Sequence, residues 1–408
     1  MSARPVRLAS VGIALLAALW LAAGPTARPS WAAVPAADPD RGPAPASEAA
    51  IPPVAAPAAD PAADPAPQRV FLPFLGQGAL FFGGPAVPFA YGWGVFNWRA
   101  YWPANTQYPA TSFNWIKVAE NPKPEELCGI FRLPYRVLLR LNKADANATA
   151  AQVGEDAAAW AESVVALGGA AGPCVDAFEI GNEPNLSMTG AFGGPVNPEL
   201  YADQLCAAYT AIKARRPDFV VVSAGLAPTA GLPDPTLALT DTVFLRRMLA
   251  RIQATQAGDA GACFDVLGYH NYGFRAAFDA DPAGPACLER SCYRGVEAAF
   301  QILHEEYGVA KRVWTTETGW TRDFFAGGCE SAPWVGFFNG FQRSDQGQAA
   351  ELVGALQYGR RHWQWLGGVF VFNLDYDRRN QDACQDEQGW FAVKGYAAEQ
   401  ALEAMPKP

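Results

Sequence analysis

Short runs of apolar, β-branched and aromatic residues alternate with longer stretches of helical period along most of this chain. Runs at 90–98 (AYGWGVFNW), 113–120, 135–142, 175–182, 219–226, 264–272, 312–320 and 367–375 read as eight strands. The stretches at 148–167, 197–216, 240–256, 293–308 and 344–362 have helical spacing. Asn197 and Ser344 stand where a side-chain oxygen would cap free amides at a helix start. Upstream of the first run, FLPFLGQGALFFGGPAVPF leaves room for a further strand or a closing hairpin.

Strands alternating with helices of this length imply parallel pairing through crossovers. Eight such units favour a closed (β/α)8 TIM barrel, an α/β fold in one domain, over an open doubly wound sheet. An open sheet binding a dinucleotide would carry a GxGxxG turn after its first strand, and none stands there. In a closed barrel, chemistry collects at the carboxyl ends of the strands.

Composition narrows the setting. Arg4 and Arg7 precede an apolar run from Val11 to Ala23, with small residues at Ser30 and Ala32, the shape of a secretory signal peptide over 1–32. A retained anchor is the alternative, but the run is shorter than the roughly 20 residues a spanning helix needs. Residues 33–67 are nearly all Ala, Pro and Asp, with ten prolines, and read as an extended linker without a core. The folded domain is then expected over 68–408. Without residues 1–32 the chain carries 28 basic against 40 acidic residues, which argues against nucleic acid as a partner.

Eight cysteines behind an export signal are expected to form disulfides, with Cys287–Cys292 a local pair and Cys329–Cys384 a clasp between late loops. No CxxC pair and no HExxH pattern occurs, so neither metal nor cofactor is expected. A GxSxG elbow is also missing, which disfavours a serine hydrolase.

The fourth run ends in GNEPN, and taken alone Gly181, Asn182 and Pro184 make Glu183 a turn residue. The seventh, RVWTTETGW, places Glu317 near its own end, three strands away around a closed ring. Two carboxyl groups converging across a barrel mouth suit glycoside hydrolysis: one protonates the leaving oxygen while the other, ionised, meets the anomeric carbon. In the sixth run, GYHNYG, His270 and Tyr272 fall on one side of a strand. A phenol on Glu317 would keep that carboxylate ionised and oriented. Asn97 and Trp98, Lys117 and Glu120, Arg140 and Asn142, and Asn373 and Asp375 stand at other strand ends. Arg140, set in VLLRL, needs an acid, and a mouth carboxylate is a candidate. Trp93, Trp98, Phe274, Trp320, Trp334 and Trp390 are candidate surfaces for stacking on sugar rings.

GNEPN and TTETGW resemble the acid/base and nucleophile motifs of the large two-glutamate clan of retaining (β/α)8 glycoside hydrolases, which includes cellulase-like and β-xylosidase-like families. The likeness of layout spans about residues 88–402, and its specific motifs about twenty positions. It implies that Glu183 is the acid/base, Glu317 the nucleophile and Asn182 a donor to the sugar 2-hydroxyl. Two features depart from the clan's pattern: VFVFNLDYD replaces the usual tryptophan at the end of the eighth strand, and WIKVAEN replaces an arginine at the second. The expectation is a secreted, monomeric glycosidase acting on oligo- or polysaccharides, without stable membrane insertion. The alternative is a glycan-binding barrel at the cell surface that does not cleave.

Overall fold

A computed structural model describes residues 82–83, 85, 87–96, 98, 112–119, 122–130, 135–287, 291–376, 384 and 386–407. The segments expected to be a signal peptide (1–32) and a linker (33–67), and the candidates Asn97 and Glu120, lie outside the described residues.

Eight parallel strands close in chain order: β1 (Ala90–Val95), β2 (Trp115–Val118), β3 (Arg136–Leu141), β4 (Ala177–Ile180), β5 (Val220–Ser223), β6 (Val266–His270), β7 (Arg312–Thr318) and β8 (Leu366–Val371). β1 pairs with both β2 and β8, which completes the ring. Seven strands fall inside predicted runs and β8 begins one residue before its run, at Leu366; the (β/α)8 barrel is the fold observed.

The helices are α1 (Pro124–Ile130), α2 (Ala150–Gly168), α3 (Pro198–Arg215), α4 (Asp241–Thr255), α5 (Val296–Gln301), α6 (Val335–Phe338), α7 (Asp345–His362) and α8 (Ala397–Ala404). Asn197 accepts from the Leu200 amide at 3.0 Å and Ser344 from the Gly347 amide at 3.0 Å, so both expected caps form. The stretch at 293–308 is less regular than its period suggested, with α5 held between a 3₁₀ turn at Tyr293–Gly295 and a π turn at Ile302–Glu306. No helix among the described residues is long and apolar enough to cross a membrane.

Strand alternation divides the barrel into two shells. Outward residues such as Ile116, Leu139, Phe178, Val221 and Val369 pack in the main core with helix residues including Leu205, Phe244 and Leu356. Inward residues Trp115, Leu138, Ala177, Val222, Val266, Trp314 and Phe370 plug the barrel interior. The Trp115 and Trp314 rings meet edge to face at 5.1 Å. Two positions further along several strands, the same inward parity brings charge instead: Lys117 on β2, Arg140 on β3 and Glu179 on β4.

A third cluster, including Phe96, Tyr272, Phe324, Trp334, Phe338, Phe372, Trp390 and Phe391, is built from segments that follow β1, β6, β7 and β8. The Cys329–Cys384 disulfide ties this layer, and Cys287–Cys292 closes a local loop, both as expected. Cys128–Cys174 and Cys206–Cys263 complete the four bridges. A fully bridged set fits an oxidising compartment.

Candidate active site

Glu183 and Glu317 meet at the mouth. One oxygen of each, together with a ring nitrogen of His270, lie within 4.8 Å of one another. Both glutamates are nearly buried, at 5% and 6% exposure.

The local backbone explains the placement. β4 is followed by Gly181 at φ +86° and then Glu183 at φ +41°, so the chain turns sharply and the Glu183 amide bonds to Gly225 O at 3.1 Å. A β-carbon on Gly181 would be strained at that angle. On β7, strict alternation after Trp314 would send Thr316 inward and Glu317 outward. The pairing changes register there, with Tyr269 opposite Thr315 but His270 opposite Glu317. This irregularity inserts one residue and aims Glu317 into the mouth.

Four cationic or donor groups surround Glu317, among them His270 Nδ1 at 3.5 Å from Oε2. Tyr272 donates to Oε2 at 2.5 Å, Lys117 Nζ lies 3.2 Å from Oε1, and Arg140 Nη1 lies 3.7 Å from Oε1. Burial alone would push the Glu317 carboxyl up. His270, Lys117, Arg140 and the Tyr272 hydroxyl outweigh it, and the carboxyl is held below its ordinary range. Burial and the neighbouring Glu317 and Glu183 raise the Tyr272 phenol well above its usual value, so it remains a donor.

Beneath this layer lies Glu179, wholly buried, with Lys117 Nζ 2.7 Å from its Oε2 and the Gly225 amide donating to Oε1 at 3.2 Å. Burial opposes its ionisation, but Lys117 and His270 prevail and hold it well below the carboxylate range. His270 sits between Glu179 of β4 and Glu183 of the turn after it, with Nδ1 2.9 Å from Glu183 Oε1 and Nε2 3.8 Å from Glu179 Oε1. Burial would lower its pKa, but Glu317, Glu179 and Glu183 raise it to about 9. Gly225 makes room for the ring, since a β-carbon there would stand 2.1 Å from His270 Cδ2.

Tyr272 and His270 thus stand as expected from their spacing, and Arg140 has found a mouth carboxylate. Arg140 also donates to Asn182 Oδ1 at 2.7 Å, while Asn182 Nδ2 donates to Gly190 O at 2.9 Å. Other expectations are corrected. Asn373 is fully buried, donating to Gln388 O at 2.9 Å and accepting from the Tyr376 amide at 2.8 Å, so it organises the segment after β8. Asp375 similarly accepts from the Phe96 amide.

Trp320 is buried and donates to Ala276 O, and Trp98 is wholly buried. Trp93 stacks on Phe113 on the outer face of β1, and Trp334 and Trp390 lie inside the aromatic layer. None of these tryptophans offers an open face, because each ring fills space between elements. Phe274, partly buried against the aromatic layer, is the more accessible of the aromatic candidates.

The sequence reading missed Glu179. Its signal was an acid at an inward position of an apolar strand, two residues after Ala177. The spacing of Glu183, His270 and Glu317 would also suit a divalent cation. Lys117 and Arg140 already supply positive charge beside Glu317, and we assign no metal ligands.

The sequence matches no family model and no curated protein. Among solved structures it is similar to a glucosidase from Croceicoccus marinus at 15% identity, over 80% of this chain and 68% of that one, with a TM-score of 0.50. It is also similar to the GH53 catalytic domain of Ignisphaera aggregans at 16% identity, over 72% of this chain and 86% of that one, with a TM-score of 0.46. At such identities the likeness shows the barrel fold.

Proposed function

We propose that this chain is a retaining glycoside hydrolase that cleaves β-O-glycosidic bonds through a covalent intermediate on Glu317. The observation that carries the reading is that one oxygen of Glu183 and one of Glu317 lie within 4.8 Å of each other, with the Glu317 carboxyl held below its ordinary range by the surrounding cations, an approach close enough for a retaining pair. Retaining pairs stand about 5–5.5 Å apart, whereas inverting pairs need about 6.5–9.5 Å to admit a water. The likeness to a glucosidase barrel agrees with this reading.

In the first step a Glu317 oxygen bonds to the anomeric carbon as the glycosidic C–O bond breaks, and Glu183 gives its proton to the departing oxygen. In the second, Glu183 as carboxylate takes a proton from water, the water oxygen bonds to the anomeric carbon, and Glu317 leaves. Tyr272, Lys117 and Arg140 keep the nucleophile charged and oriented between turnovers. Asn182, fixed by Arg140 and Gly190, has one Nδ2 hydrogen left to offer the sugar 2-hydroxyl. The signal segment at 1–32 would export the enzyme, and the linker at 33–67 would tether the domain at 68–408.

The test is a screen of aryl β-glycosides and β-linked polysaccharides with Glu317→Ala as the inactive control. Turnover by the native protein alone supports the reading. Glycan binding with no turnover of any substrate, unchanged in Glu183→Gln and Glu317→Gln, would replace it with the non-cleaving barrel.

A further inference from the structure

His270 is placed between two carboxylates from one strand and its loop. Nδ1 faces Glu183 Oε1 at 2.9 Å, and Nε2 faces Glu179 Oε1 at 3.8 Å. Among the described residues Nε2 has no closer hydrogen-bond partner. A lone pair on Nε2 pointing at an ionised, wholly buried Glu179 would be repelled, whereas an N–H there is attracted. Glu179 is kept ionised by Lys117 at 2.7 Å, so the preference for a proton on Nε2 is built into the barrel interior.

We propose that Glu179, a residue remote from the sugar, is a positioning residue for the acid/base: it holds His270 protonated at both nitrogens, so that Nδ1–H is donated to Glu183 Oε1. The other oxygen of Glu183 is then the one that carries the transferable proton. When that proton moves to the leaving oxygen, the new carboxylate charge on Glu183 is met at once by an N–H already in place. In the second step the carboxylate takes one proton from water and the starting state returns. His270 keeps both its protons throughout.

Every charged or titratable group facing the imidazole enters this balance. Glu179 and Glu183 come from β4 and its loop, Glu317 from β7 at 3.5 Å, and Tyr272 from the segment after β6. Lys117 from β2 opposes protonation, and its effect is outweighed. Arg140 from β3 acts on the opposite side of Glu317. From β5 the ring meets the Gly225 backbone, and from β7 the Thr316 hydroxyl lies in the same space.

This inference rests on the proposed glycosidase reading for its kinetic consequence but not for its structural one, and the experiment separates the two. The chain has three histidines, so an imidazole ¹⁵N spectrum of the histidine-labelled protein resolves His270. The native protein is expected to show His270 with both nitrogens protonated from pH 5 to pH 8. In Glu179→Gln it should lose one proton within that range. Neutral His270 at pH 7 in the native protein, or a titration unchanged by Glu179→Gln, would overturn the proposal whatever the protein hydrolyses.

The kinetic arm compares 2,4-dinitrophenyl and methyl β-glycosides of a sugar that is turned over. Glu179→Gln should lower kcat/KM about 100-fold for the methyl glycoside, which needs acid assistance, and only several-fold for the dinitrophenyl glycoside. An equal loss on both would mark Glu179 as merely structural and also overturn the proposal. Should Glu179→Gln fail to fold, a neutral His270 at pH 7 in the native protein still overturns the proposal. If no glycoside is turned over, the glycosidase reading fails while the spectrum still tests the role of Glu179.

Discussion

Lys117→Met removes the cation shared by the two deepest carboxylates of the mouth while keeping the length of the stem. Lys117 is 1% exposed and lies 2.7 Å from Glu179 and 3.2 Å from Glu317. At 3.2 Å and an effective dielectric of about 20, its attraction to Glu317 alone is about 5 kcal/mol. Desolvation of the lysine offsets much of that, and Arg140 and His270 remain beside Glu317. If about a quarter survives, the acid limb of kcat/KM moves up by about 1 pH unit. Glu179 loses its cation outright, and breaking a buried pair from one side costs about 3–5 kcal/mol of folding stability.

Urea unfolding at pH 7 measures the stability, and initial rates from pH 3 to pH 8 measure the limb. The double variant Lys117→Met/Glu179→Gln should regain much of the lost stability, because no uncompensated charge is then left. A single variant that loses less than about 1 kcal/mol with an unmoved acid limb would refute the electrostatic account of the site.

Tyr272→Phe deletes the 2.5 Å hydrogen bond to Glu317, a loss of about 1.5–3 kcal/mol for a charged acceptor, and should raise the acid limb by about 1–2 pH units. An unchanged pH profile would contradict the assigned contact. The unfolding free energy should also depend on His270, whose folded-state pKa is raised from 6.5 to about 9. That contribution is complete below pH 6.5 and is lost as pH rises through 9, a fall of about 3 kcal/mol absent from His270→Gln. Urea midpoints at pH 6, 8 and 10 check it. Gly225→Ala should abolish turnover without removing any functional group, because the new β-carbon would stand 2.1 Å from the His270 ring and 2.7 Å from Thr316 Oγ1. Full activity in this variant would mean that the ring can move freely.

The barrel was legible because its strands are short apolar runs separated by helical periods, and each observed strand matches a predicted run to within one residue. The two catalytic candidates were legible for a related reason, since carboxylates where two such runs stop have few purely structural uses. The buried charges were harder to read. Lys117 in WIKV and Glu179 in AFEI look like isolated charges in apolar strands, and only closure of the ring places one against the other. Glu317 also depends on a change of register in β7 that no residue type announces. The tryptophans at strand ends misled because a large ring fills space between elements as readily as it supports a sugar. Asn373 misled because its amide completes a backbone turn. Pro124–Ile130 and Val335–Phe338 were missed because helices of one or two turns show too little periodicity.

The most direct test of the central claim is the covalent intermediate. Incubation with a 2-deoxy-2-fluoro-β-glycosyl fluoride of a sugar that is turned over, followed by intact mass and peptide mapping, should add one fluoroglycosyl group on Glu317 and none in Glu317→Ala. A label on another residue, or turnover of the parent substrate with inversion at the anomeric carbon and no labelled protein, would contradict the account.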